Sequence, residues 1–316
     1  TVVFYSVTYV GTDAEAVGKA FYQKYGIKVD FISGAGGSHG ERLNVEKRMG
    51  QITGDVVQGS PARLFQMKGD GLLETSRDLP VIYNKALWEV DPLLIDPDGH
   101  LPIFASNWSG PLINTRLVPP GEEPRSLKDF LQPKWKGKIL SPDPRVFSAL
   151  SVSYVTFQRR GLIDWSYVEA LGKQDLGWFT GSNDPARMIA KGDFALSTYG
   201  SASASAVVLL AGGPIKAISM DEGDITAPSS LALVKGSPHL NAAKVFLNWL
   251  FSKEGAIAES ETNLKGYERL IKGAPSIPEA LVPPKKRRIT IGREDIDEGE
   301  KLYREQHISK LMGKVK

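Results

Sequence analysis

The sequence predicts a mixed α/β fold built from two domains, and three observations support this prediction. The chain has 316 residues, and globular chains average about 150 residues per domain. Strand and helix signals alternate from Thr1 to Lys68, a pattern that is typical of βαβ units with a parallel sheet. The same alternation begins again after Leu101, and near Asp221 the chain is expected to return to the first domain.

In the first domain, three strands are each followed by a helix. Each strand is marked by β-branched and aromatic residues or by alternating apolar and polar residues, and Thr12 or Asp13 can cap the first helix. The strands are expected at Thr1–Ser6, Ile27–Ile32 and Asp55–Val57, and the helices at Thr12–Tyr25, Ser38–Gly50 and Pro61–Lys68. Such a parallel sheet is covered by helices on both faces.

The middle of the chain repeats this organisation. Asp184 followed by Pro185 is a strong helix start, because the carboxylate caps the helix and proline fits its first position. Strands are expected there at Ile103–Ala105, Lys138–Leu140 and Phe194–Tyr199, and helices at Leu127–Leu131, Ser148–Gln158 and Ser201–Leu210. After the chain returns near Asp221, a strand is expected at Leu231–Val234 and a helix at Asn241–Phe251. The basic run Lys285–Arg288 could be a polyanion patch, but the acidic residues that follow it favour a solvated surface segment.

Composition excludes several classes of function. The chain has no cysteine, so disulfides, cysteine-ligated zinc, iron–sulfur clusters and thiol nucleophiles are ruled out. The net charge of +3 is too small for binding nucleic acid by bulk charge. The longest strictly apolar run is Ala206–Ala211, whereas a membrane-spanning helix needs about 20 apolar residues. The strand-like start at Val2 suggests that a signal peptide has been removed, which would place the protein outside the cytoplasm.

Polar and small residues follow each strand of the first domain. In open α/β sheets, ligands bind beyond the carboxyl ends of the strands, where loops and helix N-termini converge. Ordinary turns between strands and helices favour the same residue types, so both interpretations stay open at this point. The residues concerned are Ser6 and Thr8 after the first strand, Ser33–Ser38 after the second, and Gln58, Gly59 and Ser60 after the third.

Several segments resemble one protein family in the same order along the chain. They are Val118–Ser126 with Leu131–Ile139, which contains Lys134-Trp135-Lys136-Gly137-Lys138, and then Lys191–Ala195, Pro228–Val234 and Ala242–Leu250. These segments resemble the extracellular solute-binding proteins of ABC transporters, in the branch close to the ferric-iron binding proteins. The resemblance implies a type 2 periplasmic-binding fold, in which two α/β lobes joined by hinge crossings close on a ligand. It further implies a periplasmic or cell-envelope location, a membrane permease of an ABC transporter as partner, and a monomer.

The lobe boundaries that follow from this resemblance are residues 1–101 with 224–316 for lobe 1 and residues 102–223 for lobe 2, with the ligand cleft between them.

At one position the sequence departs from the ferric members of the family, which carry adjacent tyrosines. Here Tyr199 lies between Thr198 and Gly200, so the pair is missing. Because Fe³⁺ prefers anionic oxygen ligands, an organic ligand is favoured, and iron held by Tyr199 with an exogenous anion is the alternative.

The resemblance also indicates the residues that line the cleft. They are Ser6, Thr8, Ser33, Gly36, Gly37, Ser38, Gln58, Gly59, Ser60, Trp108, Ser148, Asn183, Tyr199 and Asp221. Hydroxyls, amides, glycines and helix N-termini suit a small organic anion or a zwitterion. Trp108 could stack on the ligand or pack in the hinge core, and Asp221 could face an ammonium group or remain a solvated turn residue.

Two further residues and one further function class complete the sequence predictions. His39 is expected to be an exposed loop residue, and Arg187 is expected to form a surface ion pair, although it could clamp an anion.

An enzyme on a similar frame is the competing class. The chain lacks the G-x-S-x-G, H-E-x-x-H, Walker and dinucleotide motifs, so neither catalysis nor a cofactor is predicted.

Overall fold

The computed structural model describes residues 1–9, 11–34, 36–146, 149–181, 184–260, 267–275 and 287–313. The strands are β1 Val2–Ser6, β2 Val29–Ser33, β3 Val56–Gly59, β4 Leu73–Glu74, β5 Ile103–Asn114, β6 Ile139–Pro142, β7 Gly177–Phe179, β8 Leu196–Ser201, β9 Ile215–Ala217, β10 Asp224–Val234, β11 Tyr267–Arg269 and β12 Arg288–Thr290. The helices are α1 Thr12–Tyr25, α2 Gly36–Arg48, α3 Pro61–Gly69, α4 Pro80–Tyr83, α5 Ala149–Arg159, α6 Trp165–Gly172, α7 Asp184–Lys191, α8 Ala202–Leu210, α9 Leu240–Leu250, α10 Lys253–Ser260, α11 Arg293–Arg304 and α12 His307–Leu311. This mixture of helices and strands confirms the predicted α/β class.

The chain divides into two compact units. Unit 1 comprises Thr1–Ser106, Pro228–Asn263 and Glu268–Ser276, and unit 2 comprises Asn107–Ala227, Leu264–Tyr267 and Ile277–Lys316. Strands β5 and β10 each contribute residues to both units. The predicted lobe boundaries stay a prediction, but α11 packs on α5 and α12 packs on α6, which places residues 293–311 with unit 2 rather than with lobe 1.

Unit 1 is built on the predicted parallel strands. The strand order is β2-β1-β3-β10, with β1 parallel to β2 and to β3, and with β10 antiparallel to β3. In this register Ser6 pairs with Ser33, so β1 and β2 end level with each other. Tyr5, Val57 and Leu64 lie in the buried apolar core of this unit, which holds the edge of the sheet in place.

Unit 2 has its own strand pairings and its own cores. Strand β8 is antiparallel to β5 and parallel to β6, and β6 is parallel to β7. One core cluster joins Val155 and Tyr167 to Leu302 and Met312 from the C-terminal helices. None of the helices in the described part of the chain combines the length and the apolar content needed to cross a bilayer.

Candidate functional site

Three helices of unit 1 begin close behind the ends of the three parallel strands. Helices α1, α2 and α3 follow β1, β2 and β3 along the chain, and parallel strands present their carboxyl ends at one edge of the sheet. The first turns of α2 and α3 contain no acidic residue. Helix N-termini carry partial positive charge, so the starts of α2 and α3 are suited to an anion, whereas the first turn of α1 contains Asp13 and Glu15.

The carboxamide of Gln58 organises the loop between β1 and α1. Its Oε1 atom accepts hydrogen bonds from the backbone amides of Val7 and Thr8, both at 3.0 Å, and from the Thr8 hydroxyl at 3.1 Å. Its Nε2 atom donates to the same hydroxyl at 2.9 Å. Gln58 is 2% exposed. The structure therefore brings two predicted site residues, Gln58 and Thr8, together, and it uses their polar groups to hold the loop.

Ser6 and His39 connect the ends of β1 and β2 to helix α2. The Ser6 hydroxyl accepts a hydrogen bond from the Tyr9 amide at 2.7 Å and donates one to the Tyr9 carbonyl at 3.0 Å. The Ser6 carbonyl accepts a hydrogen bond from the Gly34 amide at 3.0 Å and lies 3.0 Å from Nε2 of His39. The prediction that His39 is exposed is wrong, because its ring is buried and stacks on Tyr5.

Unit 1 also contains a buried carboxylate, which lies near the C-terminal end of α2. Glu46 accepts hydrogen bonds from the Tyr5 hydroxyl at 2.5 Å, from the Thr53 hydroxyl at 2.7 Å and from Arg42 at 3.0 Å. Burial acts to raise the pKa of Glu46, but these bonds and the Thr53 amide outweigh it and lower the pKa to about 2. The carboxylate is therefore charged at neutral pH and ties α2 to β1.

The other predicted residues of unit 1 have simpler surroundings. Ser33, Ser38 and Ser60 are exposed, and Gly36 and Gly37 form the first turn of α2. Gly59 ends β3, and a methyl group there would lie 3.2 Å from Leu64. In unit 2, the predicted site residues Ser148 and Asn183 lie outside the described residues.

Unit 2 contains a pocket that is partly open to solvent. Its walls come from β5, β8 and β6 on the sheet side and from α5 and α6 on the helix side. The lining residues are Ser109, Gly110, Pro111, Leu127, Pro142, Ser153, Tyr154, Phe157, Tyr167, Thr198, Tyr199, Met220, Gly223, Asp224 and Ile225. Four aromatic rings and several hydroxyls make this a pocket for an organic group, since ligand sites combine apolar walls with a few polar contacts.

A row of hydrogen-bonded hydroxyls crosses the pocket wall. Thr198 donates to Ser141 at 3.3 Å, and the hydroxyls of Ser141 and Tyr154 are 2.8 Å apart. Burial raises the pKa of Tyr154, and burial with the nearby Tyr154 and Glu222 raises the pKa of Tyr167 further. Both phenols are therefore neutral at physiological pH and act as hydrogen-bonding groups.

Tyr199 and Trp108 occupy different places in unit 2. Tyr199 is buried and lines the pocket. Trp108 is 2% exposed and packs with Leu112 and Leu140, and a methyl group on Gly110 would lie 2.5 Å from its ring. The structure thus places Trp108 in the core and outside the pocket lining, and ligand stacking by Trp108 stays a prediction.

The carboxylate that lines the pocket is Asp224 rather than the predicted Asp221. Asp221 is exposed, and its amide donates to the carbonyl of Arg125 at 2.7 Å. Asp224 is buried and accepts hydrogen bonds from Ser219 at 2.7 Å and from Arg288 at 2.9 Å. Arg288 belongs to the basic run that was expected to be a solvated segment, but its side chain is only 18% exposed.

Sequence reasoning missed most of the pocket residues. Tyr154 and Ser109 lie within a helix and a strand, where periodicity marks them only as core positions. The pairing of Asp224 with Arg288 joins residues that are 64 positions apart, so no local pattern contains it. Ser141 directly precedes the Pro142-Asp143-Pro144 turn, and this strand end was the one available signal.

The described residues contain no cluster of three or more histidine, aspartate or glutamate side chains that could hold a metal ion. Arg187, the other predicted candidate for anion binding, is exposed on α7. The Asp143–Arg145 ion pair, at 2.6 Å, supplies a guanidinium group in the loop after β6, next to Pro142 of the pocket lining. Sequence reasoning also missed Arg145.

Comparison with known proteins establishes the family. Residues 16–279 match the model of the bacterial extracellular solute-binding protein family, which covers most of the chain. The chain belongs to this family. The solute-binding protein is 27% identical to an uncharacterized protein of Haemophilus influenzae over 257 residues, which cover 76% of this chain and 70% of that protein.

Solved structures of periplasmic binding proteins share the fold of this solute-binding protein. AfuA of Actinobacillus pleuropneumoniae, with fructose-6-phosphate bound, has a TM-score of 0.74 at 23% identity, covering 99% of this chain and 98% of AfuA. The ferric binding protein of Campylobacter jejuni has a TM-score of 0.78 at 16% identity, covering 97% of this chain and 99% of that one. At these identities the likeness concerns the fold, and it agrees with the predicted type 2 periplasmic-binding fold.

Proposed function

We propose that this solute-binding protein is the extracytoplasmic receptor of an ABC importer and captures a small organic anion or zwitterion. The observation that carries the proposal is the edge of unit 1, where three helix N-termini follow three parallel strands and α2 and α3 lack acidic first turns. Lobe closure on the ligand, delivery to a membrane permease, a monomeric state and a processed N-terminus are parts of the same proposal.

The charge of the ligand follows from the N-terminus of α3. Ser60 is exposed and makes no side-chain cap on this helix, so the first amides of α3 receive no hydrogen bond from the Ser60 side chain. A carboxylate, phosphate or sulfonate placed there would accept hydrogen bonds from the first amides and would be stabilised by the helix dipole. Serine and glycine around this edge add hydrogen-bond donors, and the acidic first-turn residues Asp13 and Glu15 belong to α1 rather than to α3.

The pocket of unit 2, taken by itself, supports the proposal that the ligand is organic. Tyr154, Phe157 and Tyr199 supply flat apolar surface, and the row of hydroxyls supplies neutral hydrogen-bonding groups. A bare metal ion would find neither a cluster of carboxylates among the described residues nor a second tyrosine beside Tyr199. The phenols with raised pKa would also have to lose a proton before binding a cation.

A thermal-shift screen followed by calorimetry tests the proposal. The screen compares organic carboxylates, phosphates and sulfonates with neutral sugars and with ferric citrate. We expect at least one organic anion to stabilise the protein and to bind with a 1:1 stoichiometry. Stabilisation by ferric citrate or by neutral sugars alone would contradict the proposal, and a visible charge-transfer band with iron would identify tyrosine ligation.

A charge variant at the edge of unit 1 tests the position of the anion. Ser60→Asp places a carboxylate at the start of α3, and we expect it to weaken binding of the organic anion by about tenfold or more. Ser166→Asp is the matched control, because Ser166 is exposed in the first turn of another helix, α6. Equal affinities for both variants would place the anion elsewhere in the protein.

A further inference from the structure

Three consecutive residues of β5 in unit 2 carry buried polar atoms without a hydrogen-bond partner among the described residues. They are Oδ1 of Asn107, Nε1 of Trp108 and Oγ of Ser109, and the residue of β5 before them, Ser106 of unit 1, also has a buried Oγ without a partner there. More than nine in ten buried polar atoms in native proteins are paired, so three in succession require an explanation. An unpaired buried group destabilises the folded protein, and such groups are retained where a ligand completes the hydrogen bonds.

The strand geometry separates these three atoms into two groups. Side chains of a strand alternate between its faces, so Asn107 and Ser109 lie on one face, about 7 Å apart along the strand, and Trp108 lies on the other. Ser109 is 2% exposed and lines the pocket of unit 2. The Asn107 amide donates to the Ser203 hydroxyl at 3.3 Å, which assigns the amide end and leaves Oδ1 as the acceptor.

The chemistry of these atoms selects the ligand group that would pair with them. The Oδ1 atom of Asn107 only accepts hydrogen bonds, and the Ser109 hydroxyl both donates and accepts. A ligand hydroxyl satisfies both, because it too donates and accepts. A cationic group is less suited, since the pocket carboxylate, Asp224, is already paired with Arg288 and Ser219.

We propose that Ser109, which lines the pocket, and Asn107, which lies two residues away on the same face of β5, are specificity-determining residues that bind hydroxyl groups of the ligand, so that the ligand is a hydroxylated organic anion. The inference rests on the proposed function and narrows its substrate class. The neighbouring row formed by Thr198, Ser141 and Tyr154 extends the same hydroxyl-rich wall of the pocket. A hydroxylated chain is bound along this wall, and an alkyl chain of the same length leaves the two polar residues unpaired.

Matched pairs of probes test this proposal by thermal shift and calorimetry. Each pair shares its acidic group and carbon number: glucose 6-phosphate with hexyl phosphate, gluconate with hexanoate, and glycerate with propionate. We expect the hydroxylated member of at least one pair to bind at least tenfold more tightly than its alkyl counterpart. Binding of alkyl anions with equal or higher affinity would overturn the inference and leave the proposed function intact. If none of the six stabilises the protein, the inference fails, and a response to ferric citrate or neutral sugars alone defeats both proposals.

The variant Ser109→Ala separates a ligand-binding role from a structural one. Removing an unpaired buried hydroxyl should raise the Tm of the ligand-free protein by about 2–4 °C or leave it unchanged. The same variant should lose about tenfold of the preference for the hydroxylated probe. Ser205→Ala is the control, because this buried hydroxyl donates to the Ser201 carbonyl at 2.8 Å and its loss should lower the Tm. A Tm decrease for Ser109→Ala like that of the control, or an unchanged probe preference, contradicts the proposal.

Discussion

The buried carboxylate of Glu46 makes the stability of unit 1 depend on pH, and Glu46→Gln tests this dependence. The pKa of this group is lowered from 4.5 to about 2, because its hydrogen bonds outweigh the effect of burial. A lowered pKa stabilises the folded protein above the unfolded value of 4.5, and this stabilisation is lost as the pH falls towards 2.

The size of the effect follows from the two pKa values. One pH unit corresponds to about 1.4 kcal/mol, so the difference between 4.5 and about 2 amounts to about 3 kcal/mol at pH 7. The Glu46 side chain is 11% exposed, but Arg42 is half exposed and solvent screens part of its contribution. We therefore expect about 1 kcal/mol to be lost between pH 5 and pH 3, since the unscreened difference over this range is only about 2 kcal/mol.

Urea denaturation at pH 7, 5, 4 and 3 measures this loss. The wild-type protein should lose about 1 kcal/mol more than Glu46→Gln between pH 5 and pH 3, so that the two stabilities approach each other as the pH falls. Glu41→Gln controls for the loss of one negative charge, because Glu41 is exposed on the same helix. A stability difference between wild type and Glu46→Gln that stays constant from pH 7 to pH 3 would refute the reasoning.

Three further substitutions test other contacts. Gly110→Ala should destabilise the protein by about 1–3 kcal/mol, since its methyl group would lie 2.5 Å from the Trp108 ring; an unchanged urea midpoint would contradict this. Asp295→Asn should lower the free energy of unfolding by about 2 kcal/mol and speed proteolysis of the C-terminal helices, because the buried Asp295 carboxylate pairs with Arg159 and with Arg160, each at 3.0 Å. An unchanged rate of cleavage would show that these ion pairs are dispensable. Gln58→Ala should speed amide hydrogen exchange in the loop after β1, where two amides lose their acceptor; equal exchange rates would contradict the assigned role.

The fold was largely predictable because its signals are local. Apolar alternation and helix capping predict the strand–helix order of unit 1, and the parallel pairing of Ser6 with Ser33 confirms where two of these strands end. The family resemblance rested on short motifs such as Lys134–Lys138, and the family match confirms it. The placement of residues 293–311 with unit 2 was missed, because it depends on packing between segments more than a hundred residues apart.

The candidate site was less predictable, because polar residues at strand ends can either bind a ligand or hold a neighbouring loop, and the two roles look alike in a sequence. Gln58 and Ser6 fit a ligand-binding pattern, yet both side chains already make hydrogen bonds to the loop between β1 and α1. Ser109 and Asn107 lie inside a strand, where sequence reasoning expects core residues, yet their buried polar atoms lack partners among the described residues. Whether a buried polar atom already has a hydrogen-bond partner therefore distinguishes a structural role from a ligand-binding role, whereas residue type does not.

The charges of the groups that line the pocket of unit 2 favour an organic ligand over iron. A ferric ion requires several anionic oxygens, and the polar groups lining the pocket of unit 2 are neutral hydroxyls apart from Asp224. That carboxylate is held by Arg288, whose positive charge would oppose a bound cation. Binding Fe³⁺ there would require Asp224 to exchange a buried ion pair for the metal while neutral phenols ionise. A hydroxylated organic anion requires neither change, because its hydroxyls pair with groups that are already in the protonation state they need.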